Sequence, residues 1–297
     1  MSSLTAALRL RSSVTAQRRF SVAVRLIVAV VLILFAIFPV AWIVSASLNP
    51  VSTLATQRLI PERVGLGNYR DLLQSDVWPY WTWLGNSVKI ASVTSILSLA
   101  ITTVAAFAFS RFRFRGRQTM LKAILLIQVF PSLLSFVAIF LTISQIGDIF
   151  PVAGLGTHTG LILVYLGGAM GLNIWLMKGY LDTVPRDIDE SAMVDGATHW
   201  QIFVRLVLPL LRPILVVIGI LNFIGVYGDF ILARILLHDN EQLTLMVGLQ
   251  TISSAQFSLN WRPFTVGALI GALPIMIIYL ALQDQIVGGL TQGSVKG

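Results

Sequence analysis

The sequence predicts an all-α protein that crosses a membrane about six times, and three observations carry that prediction. Of its 297 residues, 56% are hydrophobic and only 11% charged, too little polar side chain to cover a soluble globule of this size. Six apolar stretches, at 26–45, 88–109, 121–143, 161–177, 213–232 and 264–282, are each close to the ~20 residues a helix needs to cross a hydrocarbon core. Lys and Arg, the source of the net charge of +8, gather in two connections that fall on one side if the six stretches alternate.

Arg9, Arg11, Arg18, Arg19 and Arg25 precede the first stretch and mark residues 1–25 as a cytoplasmic N-terminal segment, with the transmembrane domain over 26–297. Small residues at Ser45-Ala46-Ser47 raise the alternative of a cleaved signal peptide, but the apolar run exceeds the roughly 7–15 residues of a signal core, so an uncleaved anchor is expected. The connection 49–85 balances Arg58, Arg63 and Arg70 against Glu62, Asp71 and Asp76 and reads as external. In the second stretch Ser87, Ala91, Ser95, Ser98 and Thr102 recur on one helical face, a surface for close helix packing in lipid. Arg111, Arg113, Arg115, Arg117 and Lys122 then form the second basic connection, an orientation signal rather than a nucleic-acid patch. The loop 144–160 carries only Asp148 and is external; the fourth stretch is the shortest and rich in Gly.

The most structured polar segment is 185–210. Pro185 can open a helix, Asp187, Asp189 and Glu190 complement its positive N-terminal end, and Gly196 is placed to stop it. Thr198 to Gln201 reads as a capping box, and Ile202, Phe203, Leu206 and Val207 form an apolar face behind it. The expectation is a short helix, a Gly turn and a second helix. A membrane-surface helix is the alternative, but such helices are usually basic on the polar face and this one is acidic.

In the fifth stretch Asp229 is the only carboxylate within a predicted span, and an intramembrane acid is by default a functional candidate. Counting from Pro213 at ~1.5 Å per residue puts it about 24 Å up a ~30 Å core, near the outer interface. Asn222, about 13 Å up, lies nearer the midplane, and two readings stand for it: a substrate-facing polar group or an interhelical hydrogen bond worth ~1 kcal/mol. Gly267 and Gly271 make a Gly-x-x-x-Gly in the sixth stretch, for packing within the bundle or against a second membrane subunit.

Absence of cysteine excludes disulfides and thiolate metal sites and decides nothing about location. No phosphate-binding Gly-x-x-x-x-Gly-Lys-Ser/Thr occurs, and His158, His199 and His238 lie far apart in predicted loops, so neither ATP hydrolysis nor metal-assisted hydrolysis has visible machinery.

The string Glu190-Ser191-Ala192-Met193-Val194-Asp195-Gly196-Ala197, with Leu208-Pro209 beyond it, resembles the Glu-Ala-Ala loop of the membrane subunits of ABC importers. Ser191 stands where the family has its first Ala. Asn86-Ser87-Val88-Lys89, Ala106 to Arg111, Gln128-Val129-Phe130-Pro131 and Tyr165-Leu166-Gly167-Gly168 extend the likeness over nearly the whole chain, to the smaller membrane subunit of maltose/maltodextrin importers. The resemblance implies a type I importer permease fold in a bacterial inner membrane, with an N-terminus in the cytoplasm. It implies a non-catalytic subunit that binds no cofactor, ATP and Mg being held by a partner ATPase dimer. The other implied partners are a homologous second permease subunit and an extracytoplasmic sugar-binding protein, besides membrane lipid; no nucleic acid is implied. Glu190, Ser191, Ala192, Asp195, Gly196, Ala197 and Pro209 would couple to the ATPase. Within the cytoplasmic tail 284–297, Thr291, Gln292, Gly293, Ser294, Val295, Lys296 and Gly297 would reach the ATPase interface, where composition alone reads a frayed end. Ala255, Gln256, Phe257 and Ser258, in the external loop 250–261, would meet the binding protein. Asn222 and Asp229 remain pathway candidates, and a permease for another oligosaccharide such as trehalose, or an ion-coupled sugar carrier, is the alternative.

Overall fold

The computed structural model describes residues 2–50, 57–61, 63–129, 132–255 and 261–292, with side chains placed for 20–50, 57–61, 63–129, 134–168, 170–254 and 261–285. In chain order the helices are α1 Ser2–Leu48, α2 Gly67–Leu73, α3 Tyr80–Arg111, α4 Arg117–Val129, α5 Ser132–Ile149, α6 His158–Leu181, α7 Asp187–Val194, α8 His199–Ile202, α9 Leu208–Leu210, α10 Arg212–Tyr227, α11 Ile231–Leu236, α12 Leu245–Ala255 and α13 Trp261–Gln292. No strand occurs among the described residues.

Three single helices are long and apolar enough to cross a membrane, Phe20–Leu48, Tyr80–Arg111 and Trp261–Gln285, and three bent pairs bring the number to six if each pair is one span. The predicted third span comprises α4 and α5. The fourth, α6, bends by 47° between His158–Gly168 and Met170–Leu181, next to the Gly167-Gly168 pair that weakens the helix there. The fifth is shorter than predicted: α10 has 16 residues, about 24 Å of rise against a ~30 Å core, and ends at Gly228. Asp229 therefore lies in the break between α10 and α11 rather than inside a helix: Gly228 N–H still reaches Ile224 O at 3.0 Å, but Asp229 N–H turns to Val226 O at 3.3 Å.

The chain forms two compact units. The first joins 1–72 to 256–269 and ties the outer end of α1 to the segment after it. Asn68 Nδ2 donates to the carbonyls of Ser47 and Asn49 at 2.9 and 3.1 Å, Ser45 Oγ donates to Arg58 O at 2.8 Å, and the Arg262 guanidinium donates to Pro50 O.

The second unit, 73–255 with 270–297, is organised around α3. Its predicted small-residue face is buried along its length, with Ser87, Ala91, Ser95, Ser98 and Thr102 turned inward, and α6, α10 and α12 pack on α3. Lipid gives helices no hydrophobic reason to associate, so close approach across small side chains and interhelical hydrogen bonds hold them together. Ser98, Asn173 and Asn222 supply such bonds: Asn173 Nδ2 donates to Asn222 Oδ1 at 2.8 Å, and Asn222 Nδ2 to Ser98 Oγ at 3.3 Å. Gly271 is used within this unit, where a Cβ would sit 2.5 Å from a Leu245 methyl and where its carbonyl accepts the Tyr227 hydroxyl at 2.7 Å.

At the outer end α3 grips the loop 237–244. Trp83 Nε1 donates to Asn240 O at 2.7 Å, Asn86 Nδ2 to Glu241 O and Leu243 O at 2.8 and 3.0 Å, and Ser87 Oγ accepts the Leu245 N–H at 2.7 Å. Gly248 lets the buried Trp83 ring lie on α12, since a Cβ there would be 2.2 Å from the ring. Gly248→Ala should overpack this contact by about 1–3 kcal/mol. The expected result is a lower melting temperature of the purified protein in fluorescence-detected size-exclusion chromatography; an unchanged melting temperature would show that the ring can shift freely.

Candidate functional site

The segment 185–210 folds as helix, Gly turn and helix. Arg186 caps α7, and Asp187, Asp189 and Glu190 occupy its first turn, where backbone N–H groups favour negative charge. Gly196, at φ 85°, ends it in a Schellman motif: Gly196 N–H donates to Met193 O at 3.0 Å and Ala197 N–H to Ala192 O at 2.9 Å. A residue with a Cβ is strained at that φ. Thr198 and Gln201 form the predicted capping box, with Gln201 N–H donating to Thr198 Oγ1 at 3.3 Å and Thr198 N–H to Gln201 Oε1 at 2.8 Å.

The second helix departs from the expected periodicity. After α8 the chain runs as a π-helical turn, Phe203–Val207, before α9. Pro209 has no N–H to give the carbonyl four residues back, and the wider turn just before it lets Leu208 N–H reach Phe203 O instead. The extra residue per turn moves the buried face to Ile202, Phe203, Val207 and Leu211, and Leu206, expected inside, is 36% exposed. The inward residues pack with Ala106, Phe107, Met177, Leu181 and Ile218, and Ala192 and Ala197 lie against the same cluster. The outward side presents Glu190, Ser191 and Asp195 beside exposed Met193, Val194 and Trp200.

A set of polar contacts missed by the sequence reading fixes this loop to the bundle. Arg111 Nε lies 2.6 Å from Asp189 Oδ2, with the two side chains only 7% and 11% exposed, and Arg111 Nη2 donates to Val184 O at 3.1 Å. Arg186 Nη2 donates to Ser110 O at 2.7 Å, and Ser110 Oγ donates to Asp182 Oδ1 at 2.6 Å. Burial works against the Asp182 charge, but hydrogen bonds from Lys178 and Ser110 outweigh it and hold the carboxyl below its usual range. The Phe112 ring meets His199 edge-on at 5.1 Å, and Phe107 meets Phe203 at 5.0 Å. The basic connection thus does more than orient the chain: its first Arg is a buried ion-pair partner. The one available signal was Ser110-Arg111 at the very end of an apolar span, where a cation needs a nearby acid.

The two pathway candidates are held by neighbours. Asn222 belongs to the Ser98–Asn173 network described above. Asp229 Oδ1 accepts the Tyr165 hydroxyl at 2.8 Å and the Ala233 N–H at 3.2 Å, so it caps the start of α11. Thr291 and Gln292 end α13, which makes the first part of the expected tail helical, and Gly293 to Gly297 lie outside the described residues. Ala255 closes α12, while Gln256, Phe257 and Ser258 also lie outside them.

Residues 98–291 match the family described as binding-protein-dependent transport system inner membrane component. The chain belongs to that family. It is 43% identical over 272 residues to the maltose/maltodextrin transport system permease protein MalG of Vibrio vulnificus (strain YJ016), covering 88% of this chain and 91% of the relative. It is 40% identical over 271 residues to the protein of the same name from Escherichia coli (strain K12), covering 88% and 90%. Among solved structures it is similar to a bacterial ABC transporter involved in the import of the acidic polysaccharide alginate, with TM-score 0.77 at 23% identity over 91% of this chain and 97% of that one. A further likeness is to a bacterial alginate ABC transporter in complex with an alginate pentasaccharide-bound periplasmic protein, with TM-score 0.65 at 15% identity over 89% and 93%. The fold is that of type I importer permeases, and the chain is a multi-pass, non-catalytic inner-membrane component of a transport system.

Asp189→Asn should free α7 from α3, since removing one partner of a buried ion pair costs about 3 kcal/mol or more. The expected outcome is faster tryptic cleavage at Arg186 and Arg205 in inside-out vesicles, with the spans intact; cleavage at the unsubstituted rate would mean that the aromatic contacts alone hold the loop.

Proposed function

We propose that this chain is the smaller permease subunit of an ATP-driven importer of maltose and maltodextrins. The observation that carries the reading is the 43% identity to a maltose/maltodextrin permease over 88% of the chain, and the family match over residues 98–291 includes the whole of the loop 185–210. The shape of that loop supports it: an acidic helix and an exposed Trp are fixed from behind by Arg111 and stand away from the bundle.

In this reading the partners are a homologous second permease subunit, two copies of an ATPase that hold ATP and Mg, and an external sugar-binding protein. The N-terminus and the loop 185–210 face the cytoplasm. Closure of the ATPase dimer pushes on Glu190, Ser191 and Asp195, and the rigid Gly196 turn carries the displacement into α10, swinging the bundle between inward- and outward-facing states. The tail from Thr291 to Gly297 reaches the ATPase interface. The test is co-purification with the tagged chain, which should recover an ATPase and a second permease subunit, together with maltodextrin uptake by the reconstituted complex; a lone active chain would refute it.

Gly196→Asp should abolish uptake and lower ATPase recovery while the protein stays in the membrane, because a Cβ at φ 85° strains the Schellman turn and the carboxylate adds a charge at the helix end. Glu190→Ala should act in the same direction more mildly, a rim ion pair being worth ~1 kcal/mol or less. Wild-type recovery and uptake for Gly196→Asp would remove the loop from the coupling role.

The external connection supports a contact with the binding protein, since Phe257 amid Ser, Gln and Asn suits a surface that buries an aromatic when bound. Replacing 255–258 with Gly-Ser linker should leave basal ATP hydrolysis intact and reduce both its stimulation by sugar-loaded binding protein and net uptake. Full stimulation with that linker would exclude the contact.

A further inference from the structure

We propose that a cavity between α4, α5 and α6 is a saccharide subsite belonging to this chain, a reading that rests on the importer function above. The cavity has a volume of about 550 Å³ and is lined by Gln128, Ser135, Phe136, Ile139, Gly167 and Gly168, among others. That lies within the ~300–1,000 Å³ typical of small-molecule sites.

Two helices place its lining between about a third and half of the way through the core. Gln128 follows Lys122, at the cytoplasmic end of α4, by six residues, and Gly168 precedes Lys178, at the cytoplasmic end of α6, by ten. At ~1.5 Å per residue these are about 9 and 15 Å into a ~30 Å core. Substrate sites of transporters commonly lie near that depth, where helices are interrupted, and α6 bends by 47° at this point.

Gln128 is the decisive side chain. It is exposed, in the company of Leu126 and Ile127 at 74% and 71% exposure. An amide exposed to lipid at this depth is unfavourable, whereas one facing an aqueous route is not. Its position is built: Gly171 makes room, a Cβ there falling 2.1 Å from Gln128 Nε2, and the amide uses one donor in a long 3.4 Å bond to Gly168 O. A second donor and the carbonyl oxygen remain for a ligand. Gly167 and Gly168 have nothing within 4 Å of where a Cβ would stand, so the cavity reaches their bare backbone.

The chemistry selects a neutral polyol. Among the described residues no charged side chain lines the cavity, which disfavours an ion or an acidic saccharide, while an amide, a hydroxyl and the Phe136 ring fit the hydroxyls and the apolar face of a sugar ring.

The test uses the complete complex, reconstituted with its binding protein, and two variants. Gly167→Leu adds bulk where a Cβ meets nothing within 4 Å; it should assemble with its partners but take up radiolabelled maltotriose at least about tenfold more slowly, the transport analogue of blocking a substrate pocket. Ser135→Cys introduces the sole thiol of this chain. That thiol should react with a membrane-impermeant methanethiosulfonate in the assembled complex, and maltotriose should slow the reaction roughly tenfold at ~90% occupancy. Wild-type uptake by Gly167→Leu overturns the proposal. So does an unreactive thiol, which would mean that lipid or the second permease subunit fills the cavity, and so does a reactive thiol that sugar does not protect. If the unsubstituted complex fails to take up maltotriose, the importer reading fails and this inference with it; if it succeeds and the variants behave as wild type, this inference alone fails.

Discussion

Close approach of helices across small side chains is the constraint on which this bundle depends. In lipid the hydrocarbon outside a helix is as apolar as the side chains inside, so burying Leu or Ile gains little, and the energy must come from dispersion at short range and from polar groups that find one another. The stripe Ser87, Ala91, Ser95, Ser98 and Thr102 makes α3 narrow enough for α6 and α10 to reach it, and the same stripe carries the hydroxyl that Asn222 binds. Continued downward through Ala106 and Ser110, it brings Arg111 to the membrane's edge facing Asp189. One face of one helix thus sets the bundle's centre and the position of the loop 185–210.

That loop is stiff for local reasons independent of the bundle. A Schellman turn at Gly196 and a capping box at Thr198 satisfy the backbone groups that two helix ends would otherwise leave unpaired, so the angle between α7 and α8 is fixed by hydrogen bonds within about a dozen residues. Under the proposed coupling role that stiffness would matter, because a flexible connection absorbs displacement. The π turn before Pro209 rotates the buried face by one residue, keeps Val207 and Leu211 inside, and leaves Leu206 outward with Trp200.

The six spans, the helix–turn–helix of 185–210 and its caps were legible because each is a local pattern: an apolar run of sufficient length, or Pro, Asp, Gly and Thr at fixed offsets. Where the structure departs from expectation, the cause is an interruption or a distant partner. α10 ends at Gly228 with apolar residues on both sides, where a single Gly does not by itself mark a helix end, and Asp229 therefore counts within the predicted span, near its outer interface. The π turn follows from one proline's effect on hydrogen bonds five residues away. Arg111 and Asp189 are 78 positions apart, as are their residue numbers, and each alone reads as an ordinary charge at a helix end. Asn173 drew no notice beside Asn222, although the two amides need each other at 2.8 Å.

α6 connects the loop 185–210 with the cavity proposed as a saccharide subsite. Its lower end carries Lys178 and, at the cap, Asp182, which Ser110 holds against the base of α3 beside the Arg111–Asp189 pair. Its bend, next to Gly168, forms a wall of the cavity about 21 Å above Asp182, counting fourteen residues at ~1.5 Å. Energetic coupling between distant sites needs rigid elements and a place where they can change arrangement. The lower half of α6 is an element of the first kind, and the bend beside Gly167-Gly168 is a place of the second kind. A large interlocking side chain between α3 and α6 would hold a single register; the small ones along the α3 stripe permit more than one.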